Sequence, residues 1–139
     1  MKQSHSAAVT LLISVFLLIE GIWGLFSPVI YWVLTLNRTH AIIHIVLGVG
    51  GLIARQKGKI RSFFGFLGSL LIVGAGLWFV PATRELPRGL LDVNRAVATL
   101  NFILGVVALV VAFTEGASRR TGLPPAPPPP KPDTAPTWR

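Results

Sequence analysis

Asn37-Arg38-Thr39-His40-Ala41-Ile42-Ile43-His44-Ile45-Val46-Leu47-Gly48-Val49-Gly50-Gly51-Leu52-Ile53-Ala54 is a helix written with two faces. His40, His44, Gly48 and Gly51 recur at helical spacing and share one side. That stripe is polar at one end and small further along. Small residues let helix backbones approach closely in lipid, so the stripe is expected to point into a bundle. The remaining positions are almost all aliphatic. A helix starting near Arg38 gives about 17 residues, close to the roughly 20 that cross a bilayer. Asn37 stands just before it, where a side-chain oxygen can accept from the first free backbone N–H groups.

Three further stretches on either side read as spans: Ala7 to Phe26, Phe63 to Val80 and Ala96 to Thr114. With the helix over 38–54 they make four. The first is too long for the apolar core of a signal peptide and no small-x-small cleavage site follows, so it reads as a retained span. Composition agrees. The chain of 139 residues is 52% hydrophobic and only 13% charged, with mean hydropathy +0.66. So few charges cannot cover the surface of a water-soluble globule.

Arg55, Lys57, Lys59 and Arg61 lie within seven residues between the second and third spans. Short loops rich in Lys and Arg stay in the cytoplasm. With that loop inside, both termini are inside too. Nine of the 13 basic residues then fall on the inner side, and Arg38, Arg84, Arg88 and Arg95 on the outer. The same bias accounts for the net charge of +8 without nucleic acid as a partner. Trp23, Tyr31 and Trp32 fall near the outer boundary, where amphipathic rings sit. Pro28 to Leu36 is too short to span and too apolar for a free loop; it is expected to lie as a turn on the bundle. From 116 to 139 the chain reads as a disordered cytoplasmic tail, since eight of its 11 prolines lie between Pro124 and Pro136. Pro124 and Pro127 also fit a PxxP ligand, a pattern common in any proline run. Cysteine is absent, which excludes disulfides and thiolate chemistry.

The chain also resembles itself. Shifted by 57, Leu34 to Ile53 matches Leu91 to Val110 at eight of twenty positions, including Asn37-Arg38 on Asn94-Arg95 and Leu47-Gly48-Val49 on Leu104-Gly105-Val106. His44 falls on Asn101. The first and third spans match more weakly, Gly21-Ile22-Trp23 on Gly76-Leu77-Trp78 at a shift of 55. The expected architecture is therefore an all-α membrane protein, residues 1–115, built of two tandem two-helix hairpins in the same orientation. Asn37 and Asn94 are its expected N-caps.

Glu20 is the one acid inside a span. It lies about 9 Å from the outer end at ~1.5 Å per residue, and His44 about 6 Å down the neighbouring antiparallel helix, so the two are expected to touch. An ionisable group at that depth is costly and normally faces inward with a partner. With His40 and Asn101 they form an expected intramembrane polar cluster. Three readings fit it. The simplest is a buried pair that fixes helix register. Glu20, His40 and His44 could also form a metal or haem site, holding zinc or iron, although the fourth span adds no His. Intramembrane Glu and His also mark proton or solute paths. No cofactor is required by the first. There is no GxSxG, HExxH or phosphate-loop motif, so no enzyme is expected. Gly50/Ala54 and Ala108/Ala112 are small-xxx-small pairs that offer faces for a homo-oligomer.

The pattern Asn-x-x-His-x-x-x-His-x-x-x-Gly at Asn37, His40, His44 and Gly48 resembles the signature of the domain of unknown function 4383 family. The resemblance covers about Ala7 to Phe113. It implies a small four-helix protein of the bacterial inner membrane and no particular activity. The family's second element carries a polar residue and a His where this chain has Val97 and Asn101, so a symmetric two-His site is not implied.

Overall fold

The computed structural model of the chain describes residues 5–120, with side chains over 5–115. The described residues form five helices and one two-stranded ribbon: α1 (His5–Phe26), β1 (Val29–Ile30), β2 (Leu34–Thr35), α2 (Arg38–Gln56), α3 (Ile60–Phe79), α4 (Glu85–Leu91) and α5 (Arg95–Arg120). Within them His5–Phe26, Ile60–Phe79 and Arg95–Glu115 are long and apolar enough to cross a membrane. The helix α2 is not among these three. Its inward stripe of histidines and glycines, and an arginine at each end, dilute its apolar content.

Two pairs of helices pack extensively, α1 against α2 and α3 against α5. Glycine sets both approaches. A Cβ on Gly48 would stand 2.8 Å from the Ser14 carbonyl oxygen and 2.6 Å from Leu18. A Cβ on Gly105 would stand 3.0 Å from the Gly68 carbonyl oxygen and 2.7 Å from Ile72. Backbone meets backbone at those points, as small residues allow. One apolar core, with Ile13, Leu17, Leu47, Phe64, Leu67 and Ala108, draws on all four long helices. A second, with Ile30, Leu36, Val93 and Val97, lies beneath the ribbon.

Burial repeats along the chain. Ala41, Gly48, Gly51 and Ala54 are buried on α2, and Ala98, Gly105, Ala108 and Val111, each 57 positions on, are buried on α5. On α1, Thr10, Ile13, Ser14, Leu17 and Gly21 are buried; on α3 the buried Phe64, Leu67, Gly68, Leu71 and Ala75 stand 54 positions on. That is one residue away from the shift of 55 read from the Gly-x-Trp pairs.

The connections at the two ends of α2 differ. After α2, the Lys59 N–H donates to the Ala54 carbonyl at 2.8 Å and the Gly58 N–H to that of Arg55 at 3.3 Å. Gly58 has φ of 64°, so the helix ends in a Schellman motif with glycine in the left-handed position. At the opposite end, Pro28 to Leu36 folds as an antiparallel ribbon, with Val29 opposite Thr35 and Ile30 opposite Leu34. Its tip carries positive φ at Tyr31 (51°) and Trp32 (60°). Hairpin turns with that backbone normally use Asn-Gly, and a bulky residue there costs about 1–2 kcal/mol. Ile30, Leu34 and Leu36 are buried against the bundle, while Trp32 is 95% exposed.

Before α5 the chain forms α4 around Pro87, an element the sequence reading leaves unassigned; proline is tolerated in a first helical turn, where its missing N–H has no partner to lose. Two expectations need correction. The helix α5 runs past Gly116 to Arg120, since a lone glycine costs a helix only about 1 kcal/mol and the first proline comes at Pro124. Finally, Ala108 and Ala112 are buried inside the bundle and so is Ala54, so neither small-xxx-small pair presents its alanines as an oligomer face. The proline-rich stretch from Pro124 lies outside the described residues.

Candidate functional site

Glu20 and His44 meet in the α1–α2 interface. His44 Nδ1 stands 3.3 Å from Glu20 Oε2, and both side chains are almost fully buried. The atoms are at ion-pair distance, yet neither Glu20 oxygen nor either His44 nitrogen makes an aligned hydrogen bond. The distance establishes that the groups are neighbours; the alignment leaves hydrogen-bonding capacity unused inside an apolar bundle. His40 lies one turn along, its ring 4.5 Å from that of His44 and nearly perpendicular to it.

His40 joins this cluster to the second hairpin. Its Nδ1 is 3.0 Å from the Leu91 carbonyl oxygen. A carbonyl only accepts, so the contact places a proton on Nδ1. Asn101 is also buried, and its Oδ1 has no partner. By burial it occupies on α5 the position that His44 occupies on α2, but the position matching Glu20 on α3 is Gly74. No acid faces it there. The cluster therefore brings together Glu20, His44 and His40, and no bond links Asn101 to them. Among the described residues no three His, Asp or Glu side chains are arranged to hold a metal ion.

The two asparagines do more than cap. Asn37 Oδ1 accepts from the His40 N–H at 2.9 Å, and Asn94 Oδ1 accepts from the Val97 N–H at 2.9 Å. Each side-chain amide then reaches across the bundle. Asn37 Nδ2 donates to the Leu90 carbonyl at 2.8 Å, and Asn94 Nδ2 donates to the Val33 carbonyl at 2.7 Å. Val33 and Leu90 are themselves 57 apart, as are Asn37 and Asn94. The bonds are a reciprocal exchange between the two hairpins. The Thr35 hydroxyl adds a further link, donating to the Asp92 carbonyl. Trp78 Nε1 donates to the Val93 carbonyl at 2.9 Å and closes the same end.

Sequence reasoning finds the caps and misses the braces, because the acceptors are main-chain carbonyls that carry no residue signature. The available signal is that the shift of 57 maps each acceptor onto the other. Compared with protein-family models, with curated proteins and with solved structures, the chain has no match in any of the three.

Proposed function

We propose that the chain is an integral membrane protein with four spans, arranged as two tandem hairpins, that acts as a structural or interaction module rather than an enzyme. The observation that carries this is the polarity of α2. Its buried side holds His40, His44, Gly48 and Gly51, whereas Ile42, Val46, Val49 and Ile53 are exposed by 54%, 63%, 43% and 45%. A helix with polar groups inside and aliphatic ones outside is stable only where the outside is lipid. Exposed hydroxyls support the reading. Ser69, Thr99 and Thr114 each donate to the carbonyl four residues earlier, satisfying themselves along the helix.

The tandem-hairpin reading is supported by the burial pattern and by the reciprocal Asn37 and Asn94 bonds. Orientation rests on the basic turn between α2 and α3, which puts it and both termini in the cytoplasm of a bacterium. Membership of the domain of unknown function 4383 family is part of the same reading, on its Asn, His, His and Gly motif. The buried acid–imidazole pair then serves helix register.

The chain has no cysteine, so single cysteines can be introduced without first removing others. With a membrane-impermeant maleimide, Arg38→Cys should label on intact cells and Lys57→Cys only after permeabilisation. Labelling of both on intact cells, or of neither, would remove α2 as a span.

One observation favours a second reading. The unaligned heteroatoms of Glu20 and His44 are what a proton path would place in a bilayer. A proton flux in liposomes that Glu20→Gln abolishes would replace the structural reading with this one.

A further inference from the structure

The ends of α2 and α3 nearest the basic turn leave a shallow groove between them. Its floor is apolar: Gly50, Ile53, Phe63 and Phe66 line it. Phe66 is 60% exposed and Ile53 45%. The groove exists because residue 50 has no side chain; a Cβ there would stand 3.0 Å from the Phe63 ring. Lys57, Lys59 and Ser62 form its rim. The turn from Arg55 to Arg61 carries four cations and no acid. Among the described residues none of the four is in an ion pair.

We propose that this groove binds one anionic glycerophospholipid of the inner leaflet, its phosphate on Lys57, Lys59 and the Ser62 hydroxyl and an acyl chain along the Phe63–Phe66 floor. The proposal rests on the four-span reading, which places the turn at the cytoplasmic headgroup level. Charge selects the headgroup: Lys57 and Lys59 are exposed and in no ion pair among the described residues, so they attract a net negative lipid and gain nothing from a zwitterionic one. The apolar floor selects a lipid over a free phosphate. The floor begins within one helical turn of the lysines, so one molecule reaches both. A second copy of the chain would bring another set of four cations to the same rim and be repelled.

The test is native mass spectrometry of the full chain in a neutral detergent, with phosphatidylglycerol or phosphatidylcholine of the same acyl chains. One phosphatidylglycerol should remain bound per chain, with phosphatidylcholine clearly weaker. Lys57→Gln with Lys59→Gln should lower phosphatidylglycerol affinity by roughly thirtyfold, while Arg88→Gln with Arg95→Gln at the other end leaves it unchanged. Equal retention of both lipids, or no effect of the lysine pair, would overturn the proposal. So would displacement by millimolar inorganic phosphate, which would mean a soluble-anion site, or a dimer that excludes lipid. Detergent has no leaflets, so failure here is separate from failure of the span reading, which the cysteine labelling decides.

Discussion

Glu20 is buried against His44 across the α1–α2 interface. A lone carboxyl at that depth is unsatisfied, at a cost of roughly 1–3 kcal/mol. An interhelical polar contact in a membrane returns only about 0.6 kcal/mol on average. The contact is therefore worth less than the cost of breaking it from one side. His44→Leu should destabilise the bundle more than Glu20→Leu combined with His44→Leu, measured as unfolding in mixed micelles. Additive losses would mean that the 3.3 Å approach carries no coupling. This pairing was legible from depth alone, since two antiparallel helices of known rise place the residues side by side. The missing partner of Asn101 was not, because it follows from Gly74 on a helix whose alignment to α1 is visible only in the packing.

At the scale of elements, glycines of identical composition have opposite roles. Gly48 and Gly105 touch a neighbouring backbone, which cannot move aside as a side chain can. Alanine at either should cost about 1–3 kcal/mol through overpacking. Gly74, by contrast, has nothing within 4 Å of where its Cβ would be. Gly74→Ala should be neutral or gain about 0.5–1 kcal/mol from helix propensity. Thermal unfolding of the three single variants in one detergent reads the contrast directly. A comparable loss in all three would mean that the close approaches do not limit packing. The long helices were legible because apolar length is a strong signal, and α2 was legible through its two-faced spacing rather than its hydropathy. The ribbon tip was not, since Tyr31-Trp32 lacks the Asn-Gly signature of its backbone. Nor was α4, whose Pro87 and Gly89 look like helix breakers until proline is placed in the first turn.

For the whole molecule, the reciprocal asparagine braces make each hairpin a half-lock. Asn37 is a key, and the Val33 carbonyl beside it is a keyhole, on the same fragment. A chain severed at Gly58 should therefore yield two pieces that find each other again when produced in one cell. The severed pieces, residues 1–58 and 59–139, should co-purify. Asn37→Asp with Asn94→Asp keeps the capping oxygens and deletes both amide donors, so it should weaken that recapture by about 1 kcal/mol per bond without unwinding either helix. Undiminished co-purification of the aspartate pair would show that apolar packing alone rejoins the halves. The first fragment holds donor and acceptor together, so it should also pair with a copy of itself, reproducing from one gene half the twofold arrangement that the complete chain reaches with two unequal ones.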